Sequence, residues 1–313
     1  MTIHPKVIFL LKALVTSSCL IFIFKSNELE LIFNNLIKLD WLLLSASVLL
    51  FLFVNFITAW RWQILLNASQ HKVPLLPLSK YYFIGAFFSV FLPTSIGGDL
   101  ARWYYLQKYG VKRSEVISSI LYERFLGVLT LATLSLSIFI FKINLPSFDY
   151  LKIAIIFVFF ICIFTLFLFT NELKLKFFNL TKISQRWPSL SNVFNNFKLY
   201  TCNLSYIVPV LLISIFAHLV AVISIYLLSL SLDLDIALIY FIAVLPLAWL
   251  LTMLPISIGG IGVREGAVVF LLVSLGFKSP DAIAISVLMI FQILVQTILG
   301  GIMYLSYKYN LEE

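Results

Sequence analysis

Charge is scarce in this chain. Only 12% of its 313 residues are Asp, Glu, Lys or Arg, whereas 62% are hydrophobic. Soluble domains average about half apolar and about a quarter charged, so the composition excludes an ordinary soluble enzyme or nucleic-acid-binding domain. Cysteine is nearly absent. Cys19, Cys162 and Cys202 stand alone without a C-x-x-C, which excludes a disulfide framework or a cysteine metal site. His4, His71 and His218 are equally scattered, and no H-E-x-x-H occurs. No Gly-rich stretch continues as G-K-[ST], so direct use of ATP is not expected. No His/Asp cluster or serine-triad spacing is present, so no catalytic residue, cofactor or metal is assigned.

What remains is apolar, in continuous runs rather than alternation. That pattern predicts an all-α polytopic membrane protein and argues against a barrel. Runs of membrane length lie at about 7–24, 41–60, 116–141, 151–170, 206–231 and 281–307. The first of these carries Lys12 and no small-residue cleavage site follows it, so it reads as a retained span rather than a signal peptide. The net charge of +8 sits between the apolar runs. There it suits the positive-inside rule and anionic lipid, with no call for nucleic acid.

Two further apolar regions, about 78–110 and 236–277, each hold one copy of a motif: "LPTSIGGDLARWYYL" at 92–106 and "LPISIGGIGVREGAVVFL" at 254–271. Basic loops at 61–80 and 102–115 both read as cytoplasmic, so the segment between them must enter and return. Leu78 to Leu92 spans only about 20 Å as a helix, against a hydrocarbon core of about 30 Å. It reads as a re-entrant helical hairpin. Region 236–277 follows an acidic loop with Asp233 and Asp235 and reads as a second hairpin, entered from outside. Its arms look longer, which leaves a full crossing, and eight spanning helices in all, as the alternative. Six spans and two hairpins place both termini in the cytoplasm of a multi-pass cell-membrane protein. The whole chain forms one transmembrane domain, with a cytoplasmic connector at about 171–205. The order span, hairpin, span occurs at about 41–141 and again at about 206–307, with opposite entry sides. This is the pattern of an inverted-topology repeat.

The motif has a definite chemistry. Pro93 and Pro255 break a helix arm. Gly97, Gly98, Gly259 and Gly260 permit a tight turn, after which a new helix presents free amides and its positive dipole end. Such a start favours phosphate. Arg102 and Arg264 follow about one turn later, and Arg124 joins them as a third candidate lipid-phosphate contact. Ser95, Ser257, Asp99, Glu123 and Glu265 are supporting polar residues: Asp99 as a helix cap, Glu265 as the balance to Arg264, and Glu123 as the partner of Arg102 or Arg124 or as a proton relay. Arg61, between Trp60 and Trp62, reads as an interface anchor. His218, Gln292 and Gln296 read as interhelical hydrogen-bonding groups.

In "AWRWQ" at 59–63, "YERFLG" at 122–127 and the two Pro-x-Ser-Ile-Gly-Gly blocks, the chain resembles the transmembrane flippase-like region of lysylphosphatidylglycerol synthases. The resemblance runs along nearly the whole chain and implies a role in lipid translocation. In the full-length synthases a soluble C-terminal domain transfers lysine to phosphatidylglycerol. The sequence ends at Glu313 just past its last span, so no such transfer is expected of it. The leading expectation is a transporter of an anionic phospholipid or polyprenyl-phosphate lipid. The alternatives are a membrane subunit of a phosphatidylglycerol lysyltransferase and a small-anion carrier or channel. A homo-oligomer or a separate transferase partner remains open.

Overall fold

A computed structural model describes residues 36–91, 97–141, 149–170, 188–252, 260 and 262–312. The expected span at 7–24, and the part of the connector at 171–187, lie outside them. All regular structure among the described residues is helical: α1 Trp41–Ala68, α2 Leu75–Phe91, α3 Gly97–Leu106, α4 Arg113–Ser135, α5 Asp149–Thr170, α6 Pro188–Cys202, α7 Leu204–Ser231, α8 Leu238–Thr252, α9 Val263–Ser274 and α10 Ser279–Glu312, with short turns at Gln107–Tyr109 and Ser137–Ile140. Five of these helices are long and apolar enough to cross a membrane: α1, α4, α5, α7 and α10. Together they make the chain a multi-pass membrane protein.

The helix boundaries follow from local chemistry. Asp40 caps α1 by accepting the amides of Leu42 and Leu43 at 2.8 and 3.1 Å. Asn203 does the same for α7 through the Ser205 amide at 3.0 Å. The Glu115 carboxylate takes the Lys112 amide at 3.1 Å at the start of α4. The outward faces are apolar rather than polar. On α5, Ile153, Phe157, Phe160 and Phe164 are all exposed, as lipid contact requires.

The two motif regions are helical hairpins, α2 on α3 and α8 on α9. Arms of 17 and 10 residues reach about 25 and 15 Å. Arms of 15 and 12 residues reach about 22 and 18 Å. No arm matches the roughly 30 Å hydrocarbon thickness. Over the described residues, the arms of the second hairpin are Leu238–Thr252 and Val263–Ser274.

Around these hairpins the spans exchange partners. α1 packs most extensively on α7, the two spans that precede the hairpins. The first arm α2 packs on α10, and the first arm α8 packs on α4, so each hairpin leans on the span that follows the other hairpin. Close approach of α10 to α2 depends on Gly300, where a Cβ would strike the Phe83 carbonyl. Each hairpin is set in an apolar core. Trp62, Leu78, Ile84, Leu106 and Val116 fill the one around the first hairpin. Val222, Phe241, Val268, Leu272 and Ile285 fill the one around the second.

Polar side chains stitch the spans together. Gln292 donates to the hydroxyls of Ser47 and Ser224 at 2.7 and 3.2 Å, and Gln296 donates to Asn55 Oδ1 at 2.7 Å. The interhelical role expected of both glutamines is what the geometry shows.

Candidate functional site

The first hairpin is built around one close crossing. A Cβ on Gly98 would lie 2.5 Å from the Gly85 carbonyl oxygen, so only glycine lets α3 settle on α2 there. One turn on, Arg102 drops into the interior at 7% exposure. Its guanidinium carbon lies 4.1 Å from the ring centroids of both Trp62 and Tyr82. Its Nη2 donates to Glu123 Oε2 at 2.5 Å. The other oxygen of Glu123 accepts from Arg61 Nη2 and from the Tyr82 hydroxyl. Arg61 Nη1 donates onward to Ser214 at 3.0 Å, and Trp62 Nε1 to Ser119 at 2.9 Å.

One buried carboxylate thus joins α1, α2, α3 and α4. Buried charges persist only when paired and hydrogen-bonded. Here two guanidiniums share a single carboxylate, leaving an excess of positive charge. The Nε–H groups of both Arg61 and Arg102 are buried with no hydrogen-bond acceptor among the described residues.

A second pair sits nearer the surface. Asp99 Oδ2 accepts from Arg124 Nε at 2.8 Å and pairs with Arg124 Nη2 at 2.5 Å, while its Oδ1 lies 3.5 Å from Arg102 Nη1. The third pair belongs to the second hairpin. Arg264 donates from Nε and Nη2 to Glu265 Oε1 at 2.9 and 2.7 Å. Glu265 is fully buried, and its Oε2 accepts the Gly262 amide at 2.7 Å.

These groups converge on one cavity of about 350 Å³. Arg61, Asp99, Arg102, Glu123 and Arg124 line it from the first half and Arg264 from the second. The rest of the wall is largely apolar and includes Val54, Ile225, Trp249 and Met289. His218 lies on the wall as well, 3.3 Å by Nδ1 from the Thr130 hydroxyl and 6.0 Å from the Trp249 ring.

A model of the family described as the lysylphosphatidylglycerol synthase TM region matches residues 9–300. The chain belongs to that family. No curated protein and no solved structure gives a significant match.

Within this family member, the expected phosphate contacts separate into distinct environments. Arg124 and Arg264 line the cavity with 42% and 18% of their side-chain surface exposed, and each holds one carboxylate. Arg102 also lines it, but it is buried, stacked and bonded to Glu123, so it acts as a fixed positive charge. Glu123 pairs with Arg102 and also with Arg61, whereas Arg124 pairs with Asp99. Asp99 lies in the first turn of α3, where it serves two arginines. Glu265 balances Arg264 as expected.

One expectation is revised. Arg61 is an internal ion-pair residue at 7% exposure and no interface anchor. In the second motif, Gly260 is a turn residue and lies outside the described helix. Gly260 and Gly262 take φ of 79° and 84°, the helix begins at Val263, and the Glu265 carboxylate already occupies its first free amide. In the first motif, helix does begin at Gly97. Pro93, Ser95, Pro255, Ser257 and Gly259 lie outside the described residues.

Arg61 is the residue that sequence reasoning missed. Its only sequence signal was a charge directly at the end of the apolar run at 41–60, which is costly in lipid without a partner.

Proposed function

We propose that this protein moves an anionic, phosphate-bearing lipid across the cell membrane, with the headgroup passing through the arginine-lined cavity. The observation that carries the reading is the meeting of both motif copies at that cavity, Arg102 and Arg124 from one half and Arg264 from the other. Membership of the family supports a lipid role. The cavity volume of about 350 Å³ corresponds to about a dozen water-sized atoms at roughly 30 Å³ each. That holds a headgroup and leaves the acyl or prenyl chains in the bilayer, against the apolar outer faces of the spans.

On this reading the two hairpins are re-entrant and the halves form an inverted repeat, as in many secondary transporters. The exchange of packing partners between hairpins and spans supports it. The binding charges then lie near the midplane, within protein, where non-helical backbone and arginine are tolerated. Both termini face the cytoplasm.

The test is transport in proteoliposomes loaded with fluorescent phosphatidylglycerol in one leaflet. Purified protein should accelerate its exchange, and Arg124→Ala and Arg264→Ala should each slow that exchange at least tenfold. Wild-type rates in both variants overturn the reading.

A further inference from the structure

Resting on that reading, we infer that Asp99 is a built-in competitor of the substrate: a lipid phosphate binds Arg124 by displacing the Asp99 carboxylate, which then closes onto Arg102.

The two halves hold their carboxylates differently. Glu265 is fully buried and fixed twice, by Arg264 and by the Gly262 amide at 2.7 Å. Asp99 is 17% exposed, and its partner Arg124 is 42% exposed on the same cavity wall. The first pair is locked into the fold of α9. The second faces the cavity, where a ligand can reach it.

Carboxylate and phosphate oxygens dock on the same edge of a guanidinium. Arg124 presents that edge, Nε and Nη2, to Asp99 Oδ2 at 2.8 and 2.5 Å. A phosphodiester oxygen arriving there makes the same contacts. The displaced Asp99 has a destination. Its Oδ1 is already 3.5 Å from Arg102 Nη1, a contact with room to shorten. Arg102 can use it, because it shares Glu123 with Arg61 and no other described carboxylate pairs with it.

The charges balance once the exchange is made. Before it, Arg124 is paired and the Arg61–Arg102–Glu123 group carries an uncompensated positive charge. After it, the phosphate pairs Arg124 and Asp99 compensates Arg102. One negative charge on the ligand suffices. The site therefore takes a singly charged phosphodiester, and the competing carboxylate keeps affinity low enough for release, as passage through a membrane requires.

Native mass spectrometry of the detergent-solubilised protein, titrated with dioleoylphosphatidylglycerol, tests this. Dioleoylphosphatidylcholine serves as the zwitterionic control and glycerol 3-phosphate as the free phosphate ester. Asp99→Asn should bind phosphatidylglycerol about three- to tenfold more tightly, the scale of losing one partly exposed ion pair. Asp99→Glu keeps the competing charge and should show no gain. Arg124→Gln should bind more weakly, and Asp99→Asn/Arg124→Gln should match Arg124→Gln alone. If Asp99→Asn does not accumulate, Asp99→Ser carries the same comparison. An unchanged affinity in Asp99→Asn overturns the competition. So does a gain that persists in the Arg124→Gln background, which would mark a general field effect rather than displacement. The proposed function fails in a different way: wild-type protein would bind phosphatidylglycerol no better than phosphatidylcholine, and Arg124→Gln and Arg264→Gln would leave that binding unchanged. Equal binding of glycerol 3-phosphate and phosphatidylglycerol would overturn the lipid assignment.

Discussion

Glu123 is the residue on which the interior charges depend, and replacing it with glutamine isolates that role. The side chain is 4% exposed and meets Arg102 at 2.5 Å, Arg61, and the Tyr82 hydroxyl. Glu123→Gln keeps its volume and one acceptor oxygen but removes the negative charge, stranding two buried guanidiniums beside each other. A single ion pair at about 4 Å is worth about 4 kcal/mol at an effective dielectric of about 20. Removing one member of a buried pair typically costs about 3–5 kcal/mol. At about 2–4 °C per kcal/mol, the expected fall in melting temperature in detergent is on the order of 10 °C. Tyr82→Phe removes one donor to the carboxylate and no charge, and should cost about 1.5–3 kcal/mol. Adding Arg61→Gln to Glu123→Gln should recover part of the loss, because one stranded charge is gone. Thermal unfolding followed by tryptophan fluorescence reads all three variants. A Glu123→Gln protein that melts with the wild type, or a Tyr82→Phe loss as large as that of Glu123→Gln, refutes the electrostatic account.

Other consequences follow from the packing. Gly98→Ala places a methyl against the Gly85 carbonyl and the Ser89 hydroxyl, and should lower stability by about 1–3 kcal/mol, read as earlier melting. Gly266→Ala meets nothing within 4 Å and sits inside α9, so it should be neutral or stabilising by up to about 1 kcal/mol in the same assay. Gln292→Leu breaks the links to Ser47 and Ser224 and should cost about 1 kcal/mol. In a background lacking Cys19, Cys162 and Cys202, cysteine at position 110 should label from the cytoplasmic side and cysteine at 233 from outside. The reverse at either site breaks the two-hairpin topology.

Much of the helical order was legible because it is set by local chemistry. Paired glycines and arms too short to cross point to hairpins without any tertiary information. The Arg264–Glu265 pair was legible for the same reason, since the two residues are adjacent in sequence. Arg61 was not. Its neighbours Trp60 and Trp62 suggested an aromatic belt, yet two residues apart on a helix they point to nearly opposite sides. Trp60 faces outward at 48% exposure, whereas Trp62 is fully buried against Arg102. The carboxylate that holds Arg61 lies 62 residues away, a distance that no local pattern spans. The cap at the start of α9 was not legible for a subtler reason. The motifs share the spacing of Pro, Ser, Ile, Gly-Gly and Arg, but Glu265 aligns with Trp103, and its carboxylate accepts the Gly262 amide just before the helix.

That difference gives the two halves unequal electrostatic tasks. The second hairpin closes its own account locally: one arginine, one fully buried carboxylate, one capped helix. The first hairpin does not, because Arg61 and Arg102 share Glu123 while Asp99 is divided between Arg102 and Arg124. The excess positive charge of the cavity is therefore concentrated on one side, at the Asp99 cluster. An attraction between charges in a low-dielectric interior is strong, so an uneven distribution gives a passing anion a preferred stop. Neutralising Arg264 with Glu265 leaves a dipole rather than a net charge on the opposite wall, which can orient a headgroup without trapping it. On the proposed function, the two motif copies divide the work: the first supplies the charge that attracts phosphate, and the second supplies the fixed wall against which it turns.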